Sequence, residues 1–244
     1  MTPRRFTLGS IALLLAAAIG VQAREPARAP DVPGARSAVD WPGTYMGTLP
    51  AASGGGFRTV LILRQGDRYT LTQDIEHQGR VQALQSNGPL RWDQTGSVVT
   101  LGDAADAQRF GVGEGFVELR GNAPPPPNLA QAYRLARMQS YAGADEELLV
   151  DPGSIRPDQP RPGWVSFDGV WNMNHPTQAG HQSLAAHFEL NCKAREYRMP
   201  TIAYYSQPYR RGQLIDSAKN NDDDIPLPPQ DGVMSQVLRA HCPR

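Results

Sequence analysis

Between Trp41 and Arg120 the chain repeats one pattern: short runs in which apolar and polar residues alternate, each closed by glycine, asparagine or aspartate. A period of two puts successive side chains on opposite faces of an extended backbone, so it suits a half-buried strand and not a helix. The runs are Thr44 to Leu49, Val60 to Leu63, Arg68 to His77, Val81 to Gln85, Leu90 to Asp93, Val98 to Leu101, Arg109 to Val112 and Phe116 to Leu119. Turn residues fall between them at Gln65-Gly66-Asp67, Gly79, Asn87-Gly88, Thr95-Gly96 and Gly113 to Gly115. Eight antiparallel strands close into a small barrel, which removes exposed sheet edges and leaves room for side chains or one small ligand. The fold class expected is mainly β.

What precedes and follows this segment sets the compartment. Arg4 and Arg5 lead an apolar run from Leu8 to Val21 that ends in Val21-Gln22-Ala23, the three-part layout of a secretory signal cut between Ala23 and Arg24. The run is shorter than the roughly 20 residues that span a bilayer, and no second long apolar segment follows, so no membrane span is expected after cleavage. Lipoprotein processing needs a cysteine at the cut, whereas Cys192 and Cys242 lie near the other end. Removing the signal leaves 22 basic against 24 acidic residues, a net charge of −2 that attracts neither nucleic acid nor an anionic membrane. Outside the cytoplasm two cysteines have one way to pair, and a Cys192–Cys242 disulfide is expected.

Proline-rich stretches divide the remainder. Residues 24–40 read as a linker, and Pro124 to Pro127 and Asp151 to Gly163 bound a bridge over 121–163 that carries one short helix, Leu129 to Met138. The segment 164–244 reads as α+β. Strands are expected at Val165 to Met173, Leu184 to Leu190 and Tyr197 to Tyr205, with Pro200 at a bulge or a sheet edge. A helix is expected at Val233 to Ala240, with Val233, Val237 and Leu238 as its apolar stripe, tethered by the disulfide.

Two resemblances accompany these readings. The run Trp41-Pro42-Gly43-Thr44-Tyr45-Met46-Gly47-Thr48-Leu49-Pro50, with Gly56 and the strand Thr59 to Leu63, resembles the N-terminal barrel domain of NlpE-like copper-resistance and envelope-stress lipoproteins over about 41–120. That family has a Cys-x-x-Cys pair after the Leu-Pro, where this sequence has Ala51 and Gly54, so the resemblance implies the lipocalin-like barrel and not the thiol or copper chemistry. Leu190-Asn191-Cys192, Arg195-Glu196-Tyr197-Arg198, Tyr204-Tyr205 and Leu238-Arg239-Ala240-His241-Cys242 are similar to the surface-adhesin protein E-like family over about 164–244. It implies an antiparallel sheet with a terminal helix held by the disulfide.

Catalytic and metal signatures are weak. Ser53 lacks the leading glycine of a nucleophile elbow, and Gly54 to Gly56 precede a strand where a phosphate loop needs a helix. His175, His181 and His187 are six apart, but Pro176 and Gly180 interrupt any single strand that would align them on a metal. Asp222 to Asp224 lack the glycine and terminal glutamate of a calcium loop and read as a solvated turn. Glu146 and Glu147 are adjacent and so point apart, and Trp41, Trp92, Trp164 and Trp171 read as core or rim packing. No catalytic residue, cofactor or metal ligand is assigned. The function expected is a non-enzymatic envelope module in the periplasm that binds or senses stress, its partner a small ligand or an envelope or extracellular protein of unknown identity. The alternatives are a surface-exposed adhesin-like protein acting through the C-terminal segment and, from another class, an unrecognised hydrolase.

Overall fold

The computed structural model describes residues 34–51, 56–77, 80–105, 107–121, 125–158, 160–219, 225–226 and 232–242. The expected export signal and its expected cut between Ala23 and Arg24, together with Ser53, Gly54 and Asp222 to Asp224, lie outside them. After a single helical turn, α1 (Ala35–Ala38), come eight strands: β1 (Gly43–Pro50), β2 (Gly56–Arg64), β3 (Arg68–His77), β4 (Arg80–Trp92), β5 (Val98–Leu101), β6 (Arg109–Gly113), β7 (Phe116–Arg120) and β8 (Arg134–Arg137). They pair antiparallel in sequence order, and β8 returns to β1 through Tyr45 opposite Arg137 and Met46 opposite Ala136, closing the barrel. Closure brings the two backbones close at Gly47, where a Cβ would lie 3.1 Å from the Arg134 carbonyl oxygen.

The membership of the barrel differs from the sequence expectation at two places. The two expected strands Val81 to Gln85 and Leu90 to Asp93 merge into one, β4, because β3 runs unbroken and pairs with Arg80 to Pro89, including Tyr69 with Gly88 and Thr70 with Asn87, before Leu90 to Trp92 pair with β5. The Asn87-Gly88 pair therefore sits in a ladder and makes no turn. The eighth strand comes from the bridge: Leu129 to Met138 is not one helix but a 3-10 segment, Pro127–Tyr133, followed by β8. Pro126 and Pro127 start the 3-10 turns, and Leu135 then points into the barrel, fully buried.

Inside the barrel, Tyr45, Leu49, Leu61, Leu63, Leu71 and Phe110 belong to one continuous core closed at one end by Trp41 against Trp92. Tyr45 donates to the Trp41 carbonyl at 2.6 Å, and burial pushes its hydroxyl up to about 12. Tyr45, Leu61, Val99, Phe110, Val117 and Leu135 are fully buried.

The second sheet has the order β15-β14-β13-β12-β10-β9, from β9 (Gln139–Ala142), β10 (Glu146–Val150), β12 (Trp164–Met173), β13 (Ser183–Asn191), β14 (Glu196–Gln207) and β15 (Arg211–Lys219). Two-residue strands β11 (Arg156–Pro157) and β16 (Ile225–Pro226) pair at its margins with β12 and β14. The bridge thus supplies strands to both sheets. Register on β14 slips by one residue between Arg198 and Thr201, opposite Glu189 and His187, so Met199-Pro200 is a bulge, and on the other side of β14 it falls between the pairing of Tyr197 with Ile225 and that of Thr201 with Lys219. That is where a residue without an N–H is tolerated in a sheet.

One face of this sheet carries Tyr141, Leu148, Phe167, Leu184, Phe188, Leu190 and Tyr197 against helix α2 (Val233–His241), which buries Val233, Met234, Val237 and Leu238. Cys192 and Cys242 are disulfide bonded, tying the end of β13 to the end of the helix.

His241, in the last turn of α2, accepts a 2.6 Å hydrogen bond from the Tyr141 hydroxyl when its Nε2 is bare. Burial lowers its pKa below the ordinary 6.5. The unfolded chain then binds more protons than the folded one as pH falls below about 6.5. Stability is expected to be flat above neutrality and to decline through pH 6.5 towards the lowered folded value. Urea midpoints between pH 8 and pH 5 test this, and His241→Asn is expected to flatten the slope.

Candidate functional site: a cleft between barrel and sheet

Barrel and sheet belong to one compact unit. Alternation places Met46, Val60, Thr72 and Asp74 on the outside of the barrel, while Leu149 and Val170 lie on the sheet face turned away from α2. Val60, Leu149 and Val170 are buried yet belong to neither core. Polar contacts pin one end of the joint. The fully buried Asp74 carboxylate accepts from the Gly212 backbone N–H at 2.8 Å, and Arg211 lies 3.5 Å from its other oxygen, a charge contact without an aligned hydrogen bond. Arg58 donates to the Gly212 carbonyl at 2.9 Å and stacks over Tyr205. Gly212 has φ +71°, and a Cβ there would meet Ser206 Oγ at 2.3 Å.

Beyond this joint the two walls part around a cleft of about 560 Å³. Its barrel wall is Met46, Gly47, Ala136 and Met138. Its floor is a cross-strand row of small residues, Val170, Ala185, Ala203 and Ser217, directly opposite one another on β12 to β15. Two residues along lies the row Asp168, His187, Thr201 and Lys219, also lining the cleft. Stacked sheets fill their ~10 Å separation with interdigitated side chains, and a floor of alanine, serine and valine leaves that layer partly empty. A second hollow of about 620 Å³, with Phe116, Arg134 and Arg137, shares Met46, Ala136 and Asp151 with the first.

At the pinned end the β14–β15 hairpin turns through Tyr209 and Arg210, both in the left-handed region at φ 64° and 58°. Buried Asn172 accepts from the Tyr209 N–H at 2.6 Å, and the buried Ser183 hydroxyl accepts from the Arg210 N–H at 3.1 Å while donating to the Gln207 carbonyl. Burial, then the Glu147 carboxylate, raises the Tyr209 hydroxyl, so it stays protonated. Arg210 lines the cleft.

The three histidines singled out in the sequence separate. His175 is exposed in the loop after β12, His181 bonds Thr177 and stacks on Tyr204, and His187 Nδ1 meets Asp168 at 2.8 Å. Among the described residues no group of three or more His, Cys, Asp or Glu is placed to hold a metal ion. Glu146 and Glu147 do point apart, to Trp171 and to Ser140 with Asn172. Trp164 packs against the guanidinium groups of Arg161 and Arg198, both paired with Glu189, as rim packing. No described helix is long and apolar enough to cross a membrane.

Sequence reasoning missed the cleft. β15, β9 and β10 carry no clean alternation, and the value of Ala185 and Ala203 is that they are small, which periodicity does not report. Arg210-Arg211 reads in the sequence only as a basic pair; its separation into one joint residue and one cleft residue follows from the turn.

Residues 45–123 match the family model of the NlpE N-terminal domain, and residues 136–243 match that of surface-adhesin protein E. The chain joins an NlpE-like barrel to an adhesin E-like sheet. Matched solved structures include a candidate lipoprotein from Shewanella oneidensis, 29% identical, covering 43% of this chain and 94% of that one at a TM-score of 0.39. Two crystal structures of Haemophilus influenzae protein E also match. One is 21% identical over 38% of this chain and 80% of that one, with TM-score 0.30. The other is 16% identical over 58% and 89%, with TM-score 0.33. No curated protein matches. The adhesin E-like match begins within β8, so the NlpE-like barrel is closed by residues that the other module's model claims.

Proposed function

We infer that this is an exported protein of the bacterial cell envelope that acts by binding, and that its binding site is the cleft between the NlpE-like barrel and the adhesin E-like sheet. Export is supported by the N-terminal charged, apolar and small-residue segments with their cut after Ala23, and by the disulfide, which persists in oxidising compartments. The observation that carries the site is the contrast between a barrel interior packed with Tyr45, Leu61, Leu63, Leu71 and Phe110 and an open concavity of about 560 Å³ outside it. A concave, mostly apolar hollow with a few convergent polar groups is the usual form of a ligand site.

Ala203→Trp tests the site by filling it. Native mass spectrometry of protein taken from its own envelope is expected to show a bound adduct that the tryptophan variant lacks. An adduct equally abundant in both, or absent from both, would dismiss the cleft.

A second reading, an adhesin-like interaction at the cell surface, is favoured by one observation: β15 is an edge strand whose Leu214 and Ile215 are exposed, 55% and 43%. An unpaired edge offers main-chain groups to a partner. Cleavage of the protein by protease added to intact cells would support it; protection until the outer membrane is opened supports the periplasmic reading.

A further inference from the structure

The floor of the cleft is the face of a sheet, and this decides what class of molecule it suits. β12, β13 and β14 are each paired on both sides, so their N–H and C=O groups are spent on neighbours. A peptide laid over them would bury its own amides without partners, a cost that a hydrocarbon chain does not carry. The walls agree: Met46 and Met138 are flexible apolar side chains that adapt to a chain of variable shape, and Ala136, Ala185 and Ala203 leave a smooth trough.

Polarity is concentrated at the ends. Ser183, which holds the Arg210 turn, is four residues along β13 from His187, so the trough is about 13 Å long at ~3.3 Å per residue. At the far end stand Asp168, already engaged by His187, with Thr201 and Lys219. At the near end stands Arg210, in a backbone conformation that residues other than glycine, asparagine and aspartate rarely adopt. Two consecutive residues of this kind are costly to hold, and the structure holds them with buried Asn172 and Ser183. The turn they make places Arg210 in the lining at that end of the trough. Arginine at such a place suits a carboxylate or phosphate.

We propose, on the reading that the cleft is the binding site, that its ligand is a single-chain amphiphile with an anionic head, of the fatty-acid type. The hydrocarbon lies between Met46, Met138 and the Ala185–Ala203 floor, and the head pairs with Arg210. Lys219 is the competing cation and is tested beside it.

The probe is cis-parinaric acid, titrated by fluorescence into full-length mature protein stripped of bound lipid. A saturable one-to-one rise is expected. Arg210→Asn removes the cation with a residue that tolerates the turn, and is expected to weaken binding about tenfold, with Arg210→Lys recovering most of it. The methyl ester of the probe is expected to bind wild type about as weakly as the acid binds Arg210→Asn, and Lys219→Gln to change little. Thermal melts of each variant verify folding. Binding unchanged in Arg210→Asn but lost in Lys219→Gln would overturn the head-group assignment. No saturable response to the acid, with displaceable binding of tetra-alanine instead, would overturn the amphiphile and leave the cleft as a site. Absence of any envelope-derived adduct from the wild-type protein together with silence to both probes would remove both.

Discussion

Cys242→Ser is expected to cost about 4 kcal/mol of stability and to release helix α2 from the sheet. The disulfide closes a loop of 50 residues, for which restriction of the unfolded chain gives about that value. The helix has little to fall back on. It spans Val233–His241, nine residues, below the length of roughly 12 to 15 at which isolated helices hold in water. Its Gly232 N-cap offers no side-chain hydrogen bond. What remains is burial of Val233, Met234, Val237 and Leu238, each worth about 1.5 to 3 kcal/mol before the entropy of ordering is subtracted. Urea unfolding of the variant, with hydrogen exchange read over 233–241, measures both parts. A midpoint equal to that of wild type would mean that packing alone secures the helix.

Asp74→Ala is expected to cost about 3 kcal/mol and to split one unfolding transition into two. The carboxylate is fully buried, takes the Gly212 N–H, and lies beside Arg211 and, at 3.9 Å, Arg58. Its removal leaves that N–H without its acceptor and the Arg211 guanidinium without its countercharge. Arg58 keeps 22% and Arg211 15% of its side-chain exposure, so water recovers part of the loss and the expected figure sits at the low end for a broken buried pair. The site also explains why the barrel and sheet are expected to unfold together in the native chain: this contact comes from β3 and β2 on one side and the β14–β15 turn on the other. Single-probe fluorescence at Trp92, in the barrel, and Trp171, in the sheet, would report the two transitions separately. Coincident curves in the variant would show that the joint does not couple the modules.

How much of this was legible in the sequence depends on which interaction fixes each element. Alternation over Arg68 to His77 and Arg109 to Val112 marks strands because each has one face in the barrel core. Pro200 marks a bulge because it lacks a donor, and Cys192 and Cys242 mark a bridge because two thiols outside the cytoplasm have one way to pair. The misreadings have the same physical origin in reverse. Asn87-Gly88 has turn chemistry, but pairing along the whole of β3 outweighs it. Leu129 to Met138 has helical spacing, but Leu135 is claimed by the barrel, whose closing strand must come from whichever segment follows β7. The cleft is the least legible feature, since it depends on small residues from β12 to β15 lining up across strands with Met46 and Met138 opposite, a register that no single stretch of sequence contains.

The central claim is that ligand enters between the modules and not into the barrel. Methyl-labelled protein, observed by NMR as cis-parinaric acid is added, separates the two directly. The account predicts that the methyl resonances of Met46, Met138, Ala185 and Ala203 move and that those of Leu61, Leu63, Leu71 and Val117 stay. Movement of the barrel leucines and Val117 with Met46, Met138, Ala185 and Ala203 unchanged would contradict it.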